Sequence, residues 1–220
     1  MTIDFFWPFG LVLLIIIAVA VTTGVFNRKR HERNRALAAE RGWSYQAKMP
    51  GMARQVVSDV GGERSGRAFV GVFEGTTDRG VFYAGTAQWT EHRGSGENQS
   101  SETVRRKVVT MPIPLAAPRM RLEREGFLKN IFNRDLKTEW EEFNRAWIVT
   151  GEDPRFVSAV LTPTMQEWLM PIRVSYLLKP GWITVYADGR LEAADVDVLL
   201  PALTGFCDRI TPFLWQDYRQ

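Results

Sequence analysis

The chain has 220 residues, of which 45% are hydrophobic and 12% are aromatic. This supply of apolar side chains suffices for one folded domain, and it excludes a chain that is disordered throughout. The single cysteine, Cys207, excludes an internal disulfide framework and a cysteine-rich zinc site, and its apolar surroundings predict a buried thiol. Because the formal net charge is +3, a nucleic-acid function depends on where the basic residues lie.

Residues 5–26 form an uncharged run, FFWPFGLVLLIIIAVAVTTGVF, that predicts a transmembrane helix. As a helix the run is roughly 33 Å long, enough to cross a hydrocarbon core of about 30 Å. A buried soluble helix is rarely apolar on all sides, and a signal peptide has its positive charge before the apolar run. Ala20 and Gly24 are small residues four positions apart, a spacing that suggests a homodimer through two such spans.

Five basic residues follow the apolar run within nine positions. They are Arg28, Lys29, Arg30, Arg33 and Arg35. Since basic residues next to a span stay in the cytoplasm, the pattern predicts residues 1–4 outside the cell membrane and residues 27–220 inside it. The same side chains are candidates for contact with membrane lipid headgroups, and a topology signal without lipid contact is an equal alternative. A basic juxtamembrane helix is predicted over residues 27–41, ending at Gly42.

The remaining residues, 42–220, are predicted to form one cytoplasmic domain. Removing Asp4 and the six basic and two acidic residues of 27–41 leaves 22 basic against 22 acidic residues in the domain. A nucleic-acid-binding protein shows a basic face on its folded domain. The neutral balance therefore predicts no nucleic-acid partner.

The first half of the domain predicts an antiparallel meander with one short helix. The expected elements are a strand at 43–47, a helix at 52–59 and strands at 68–76, 81–90 and 104–113. Thr77-Asp78-Arg79-Gly80 has the chemistry of a hairpin turn. The polar stretch 91–103 predicts an exposed loop that is either filler or a docking segment.

The second half alternates short strands and helices. The expected elements are a strand at 119–123, a helix at 126–132, a strand at 143–151, helices starting at Asp153-Pro154 and Thr162-Pro163, a hairpin of 174–178 with 182–186, and a final helix that contains Pro201. The fold class predicted for the whole chain is α+β, with an N-terminal transmembrane helix followed by an antiparallel sheet and flanking helices.

The stretch EEFNRAWIVTGEDPRFVSAVLTPTMQEWL, residues 141–169, resembles uncharacterised single-pass membrane proteins of actinobacteria. The likeness extends from LAAERGW at 37–43 to PFLWQDY at 212–218, which is most of the chain. It implies a cytoplasmic domain of unknown function behind an N-terminal span. It supplies no catalytic residues.

The residue types used in catalysis are present but scattered. His31 lies in the basic cluster and His92 in the polar stretch, so both are expected to be solvated. Glu139, Glu141 and Glu142 are the densest carboxylate group, and Asp195 and Asp197 lie at a predicted helix start. No catalytic, cofactor-binding or metal-binding residue is identified, and no cofactor is expected.

These observations predict a membrane-anchored interaction or scaffolding domain that binds other membrane or cytoplasmic proteins. The alternative is a membrane-proximal enzyme whose polar site is assembled only in the fold. A closed pocket with converging glutamate and arginine side chains would favour the enzyme. An exposed apolar patch or an open sheet edge would favour the binding domain.

Overall fold

A computed structural model describes the backbone of residues 7–93, 100–124 and 136–219, and their side chains except at residues 7–13, 15–21, 23 and 93. The helices are α1 (Trp7–Glu40), α2 (Pro50–Gly61), α3 (Glu141–Ala146), α4 (Pro154–Val160), α5 (Pro163–Leu169), α6 (Ala193–Arg209) and α7 (Pro212–Asp217). The strands are β1 (Ser44–Lys48), β2 (Ser65–Thr77), β3 (Gly80–Arg93), β4 (Ser100–Pro112), β5 (Met120–Arg124), β6 (Trp147–Gly151), β7 (Ser175–Lys179) and β8 (Trp182–Asp188).

All eight strands belong to one antiparallel sheet with the order β1-β2-β3-β4-β8-β7-β5-β6. The first four strands form the predicted meander, and the β7–β8 hairpin packs against β4. The two predicted hairpin turns are present. Their glycines, Gly80 and Gly181, have φ angles of +128° and +76°, which glycine adopts without the steric cost of a Cβ.

Helices cover both faces of the sheet. On the face called here the α2 face, α2 packs against β2 and β3. On the opposite face, called the α6 face, residues of α1 and α3 to α7 contribute to a larger core. Successive strand residues point to opposite faces, so Val108 packs in the α2 core and Val109 in the α6 core. The α+β class with an antiparallel sheet and flanking helices is therefore confirmed.

The predicted helix starts in the second half are also confirmed. Asp153 accepts a hydrogen bond from the Arg155 amide at 2.8 Å, and Thr162 accepts one from the Met165 amide at 3.3 Å. These side chains satisfy amides that have no partner within the helix. The predicted final helix is α6, with Pro201 inside it.

The strand predicted over 143–151 is wrong in its first part, because residues 141–146 form α3 and only 147–151 form β6. Tertiary contacts override the alternating pattern here. Phe143 is fully buried, and the Asn144 amide group donates to the Thr138 carbonyl at 2.7 Å. The helix predicted at 126–132 lies outside the described residues.

The loop predicted over 91–103 is wrong at both ends. β3 continues to Arg93 and β4 begins at Ser100, with His92 opposite Ser101 in a regular ladder. Backbone hydrogen bonds hold this two-stranded ribbon together. The ribbon extends past the last residues that pair with β2 and β8, where its polar side chains are in contact with solvent. Residues 94–99 lie outside the described part of the chain.

Among the helices whose side chains the structure describes, none is both long and apolar enough to cross a membrane. The span predicted over residues 5–26 falls largely on residues whose side chains are outside that description. Ala20, half of the proposed dimer contact, is one of them. Both ideas therefore stay predictions.

Candidate functional site

The second half of α1 packs against the domain. Asn34 and Ala38 are 3% and 1% exposed, and Leu37 packs against the α6 core. Arg30, Asn34, Ala38 and Arg41 follow the spacing of one helix face. The helix ends at Glu40, and Gly42 has a φ of +69°, as predicted for its C-terminus.

Two ion pairs connect this helix face to the start of α6. Arg30 Nη2 lies 2.8 Å from Glu192 Oε1 and donates to the Leu191 carbonyl at 3.2 Å. Arg41 Nη2 lies 2.7 Å from Asp197 Oδ2. The ion pairs close a packed apolar contact, so residues 27–41 are a docked part of the fold and not a free arm.

His31 also takes part in the docking. Its Nδ1 lies 2.6 Å from the Tyr45 hydroxyl on β1, and the ring is half-buried. The expectation that His31 is solvated is therefore wrong, because α1 packs on the domain and covers it. His92 is exposed, as expected, and lies 2.9 Å from the Ser101 hydroxyl.

The five predicted membrane-surface residues divide into two groups. Arg28, Lys29, Arg33 and Arg35 are exposed, on the part of α1 that faces away from the domain. Arg30 faces the domain, and its side chain is only 20% exposed. Docking therefore occupies Arg30 and leaves the other four side chains accessible.

A buried polar cluster lies on the α2 face of the sheet. Glu123 is 1% exposed, and its carboxylate accepts hydrogen bonds from the Tyr186 hydroxyl at 2.6 Å and from Arg121 Nη1 at 3.2 Å. Burial raises the pKa of Tyr186 above its ordinary value, so the phenol stays protonated and donates. Glutamate and arginine side chains thus converge, as an enzyme site would require.

The same cluster fastens α2 to the sheet. Asp59 at the end of α2 is 5% exposed and lies 2.6 Å from Lys179 Nζ and 3.9 Å from Arg119 Nη1. Its backbone carbonyl accepts from Arg121 Nη2 at 2.6 Å, and the next carbonyl, of Val60, accepts from Arg106. Cations at the negative end of a helix stabilise it.

These contacts favour a structural role over a catalytic one. Each carboxylate of the cluster already has cationic or phenolic partners, and neither of the two surface grooves described below is lined by Asp59, Glu123 or Tyr186. The cluster was not predicted from the sequence, because its members lie far apart along the chain. A usable signal was the alternation of Arg119, Arg121 and Glu123 with apolar residues, in β5 and at the position before it.

The predicted carboxylate groups are not brought together. Glu141 and Glu142 are exposed, and Glu141 pairs with Arg145 at 2.7 Å. Asp195 caps α6 by accepting from the Glu192 amide at 2.7 Å and pairs with Lys107 at 2.6 Å. The described residues contain no group of three histidine, cysteine or acidic side chains that could hold a metal ion.

Cys207 is buried in the α6 core, as predicted, with 1% of its surface exposed. Burial raises the pKa of this thiol to about 12. A thiol of that pKa is protonated at neutral pH and is a poor nucleophile.

Grooves lie at two places on the described surface of the domain. The first, of about 890 Å³, separates residues 136–140 from α4 and α5 and includes Glu139 in its lining. The second, of about 770 Å³, is called here the edge groove. It lies between the β3–β4 ribbon and residues 188–190, where β8 ends.

The sequence matches no protein-family model and no curated protein. Its fold is similar to the crystal structure of the mycobacterial trehalose monomycolate transport factor A, TtfA, with a TM-score of 0.59 and 14% sequence identity. The similar region covers 83% of this chain and 94% of that one. The chain therefore shares its fold with a protein of an actinobacterium, in keeping with the resemblance as far as architecture goes.

Proposed function

We propose that this protein is a membrane-anchored, cytoplasmic interaction domain that serves as an accessory factor in a membrane transport system. Residues 5–26 form the anchor, with residues 1–4 outside and the domain of residues 42–220 inside. The exposed Arg28, Lys29, Arg33 and Arg35 lie at the headgroups of the inner leaflet, and two spans meet through Ala20 and Gly24.

The docking of α1 is the observation that carries this proposal. A helix of 34 residues without an interruption leads from the predicted span into the core of the domain. From residue 26 to Arg30 it rises by about 6 Å, so the start of α6 would lie close to the membrane surface. A rigid mount suits a protein that presents a binding surface at fixed height and orientation to a membrane complex.

The shared fold supports a transport role. TtfA is named as a transport factor for trehalose monomycolate, and 94% of its chain has a counterpart here. A shared fold does not show that two proteins act on the same lipid. The proposal for this chain therefore extends to an accessory role and not to a particular lipid. The engaged carboxylates of the buried cluster favour the interaction domain over the membrane-proximal enzyme.

A topology measurement tests the anchor and its direction. A reporter fused after Gln220 that is active only in the cytoplasm should be active, because the basic residues hold the domain inside. Replacing Arg28, Lys29, Arg33 and Arg35 by glutamine should give a population in which some chains have the domain inside the cell and others have it outside. The matched control replaces the same number of exposed arginines in the domain, namely Arg54, Arg155, Arg173 and Arg219.

Activity from an exported reporter in the unmodified chain would refute the direction. A soluble reporter fusion, released without detergent, would refute the anchor. The interaction role is tested by crosslinking the full chain in its native membrane from exposed positions across the domain. Failure to crosslink any protein from any of these positions would refute it.

A further inference from the structure

The β3–β4 ribbon leaves part of a strand edge open. β4 pairs with β8 from Pro112 back to Arg106, which lies opposite Asp188. β4 itself extends back to Ser100, paired on its other side with β3. Within the described part of the chain, no residue pairs with residues 100–104 on the β8 side. This stretch is an open sheet edge, which is a site where another extended chain can add as a strand.

The hydrogen-bonding direction of this edge follows from one contact. The Gly189 amide donates to the Arg105 carbonyl at 3.0 Å, and Gly189 follows Asp188 in the register, so Arg105 points its backbone groups towards the β8 side. The β3–β4 ladder runs without a register shift from Tyr83 to Arg93. Because antiparallel strands alternate the direction of their backbone groups, Ser101 and Thr103 also point theirs to the open side.

The edge groove beside these residues is lined by three acids and three arginines, and each acid has a partner. Glu91 accepts from the Trp89 indole at 3.0 Å, Asp188 lies 3.7 Å from Arg106, and Glu102 also has a partner. Arg105 and Arg190 are exposed, and their guanidinium groups have no hydrogen bond or ion pair within the described part of the chain. The acids of the groove are thus engaged while two cations are available.

We infer that an acidic, extended segment of a partner protein binds here by adding as a strand to β4, alongside the residues that lie beyond the end of β8. The backbone groups of Ser101 and Thr103 pair with the segment, and Arg105 and Arg190 contact its carboxylates. Arg105 and Thr103 lie on one face of the strand, so an acidic residue opposite Thr103 is within diagonal reach of the guanidinium. This inference rests on the proposed role as an interaction domain and specifies its docking surface.

Thr103→Pro is the decisive variant. Proline removes one backbone donor from the open edge, whereas the Thr103 amide does not take part in the β3 ladder, so the ribbon keeps its hydrogen bonds. Thr103→Val keeps the amide and the β-branched shape and is the matched control. An unchanged melting temperature in both variants shows that the ribbon is intact.

The assay uses the full chain in detergent micelles and a short fluorescent peptide of alternating glutamate and threonine, with fluorescence polarisation as the readout. We expect saturable binding that Thr103→Pro weakens about tenfold, the equivalent of one backbone hydrogen bond, and that Thr103→Val leaves unchanged. Arg105→Gln and Arg190→Gln should each weaken binding and reduce its salt dependence.

Several results would overturn the inference: no binding, equal binding to Thr103→Pro, equal binding of a peptide with lysine in place of glutamate, or complete displacement by micelles of an anionic lipid. The last result would identify the two arginines as a lipid-contacting surface instead. Crosslinking from other parts of the domain would still succeed if only this edge were misassigned, so failure here is distinguishable from failure of the proposed function.

Discussion

One buried charge should break the docking of α1. Ala38 is 1% exposed against the α6 core, whereas its neighbour Ala39 is exposed. We expect Ala38→Asp to detach residues 27–41 from the domain. Ala39→Asp makes the same chemical change one position along and has the same cost in helix propensity, so it is the matched control.

The destabilisation has a ceiling, because the helix can detach rather than bury a carboxylate. The ceiling is the free energy of docking. The hydrogen bond from Arg30 to the Leu191 carbonyl contributes about 1.5 kcal/mol and the one between His31 and Tyr45 about 1 kcal/mol. The two ion pairs to α6 add about 0.5 kcal/mol each, and the burial of Ala38 and part of Leu37 adds about 1.5 kcal/mol. Ala38→Asp should therefore lower the free energy of unfolding by about 5 kcal/mol, and Ala39→Asp by less than about 1 kcal/mol.

The assay is urea unfolding of a fragment that begins at residue 27, followed by tryptophan fluorescence. Trp43 is a suitable reporter, since the Arg41 guanidinium lies 5.1 Å from its ring centroid. A second fragment that begins at residue 42 lacks the docking segment and should be less stable by a similar amount. Equal stability of the two fragments, or of the two aspartate variants, would refute the reasoning that α1 is part of the folded domain.

Two further predictions concern buried groups. Glu123→Gln removes the charged acceptor of Arg121 and Tyr186 and should lower the free energy of unfolding by about 3 kcal/mol; a loss near zero in urea unfolding would contradict a structural role for the cluster. The Cys207 thiol should resist a thiol reagent in the folded chain and react after denaturation, and rapid labelling of the folded chain would contradict its burial. Because burial raises its pKa from 9.0 to about 12, its contribution to stability is present below pH 9.0 and is lost as the pH rises towards 12, measurable as a falling melting temperature.

The elements that the sequence predicted correctly are those whose cause is local. The hairpin turns at Gly80 and Gly181 and the helix caps at Asp153 and Thr162 depend on residues within a few positions of one another. Turn and cap chemistry acts over that range, so the local sequence is sufficient to predict these turns and helix starts. The open sheet edge on which the docking inference depends was anticipated only as a class of feature.

The elements that were predicted wrongly from the sequence depend on contacts with residues elsewhere in the fold. α3 forms because Phe143 packs into the core and Asn144 bonds to Thr138, and neither contact is visible in the alternation of residues 143–151. The ribbon ends at 91–93 and 100–103 consist of polar residues that hydropathy assigns to a loop, although strands that are solvated on both faces need no apolar residues.

The candidate sites were harder to predict for the same reason. The basic residues of α1 were identified, but Arg30 could not be separated from its neighbours without its partner Glu192, which is 162 positions away. The buried cluster joins residues of α2, β4, β5, β7 and β8, which come together only in the folded domain. Periodicity places a side chain on a face but does not identify what lies opposite.

The connection of α1 to α6 has a consequence for the order of events during synthesis. Arg30 and Arg41 leave the ribosome first, and their partners Glu192 and Asp197 follow 162 and 156 residues later. At 5–20 residues per second that interval is on the order of ten to thirty seconds. On the topology proposed above, the charges that direct insertion therefore act while α1 has no domain to dock on, and Arg30 takes part in two successive events. It is first a free cation at the translocation machinery, and it becomes the partly buried partner of Glu192 once α6 is complete.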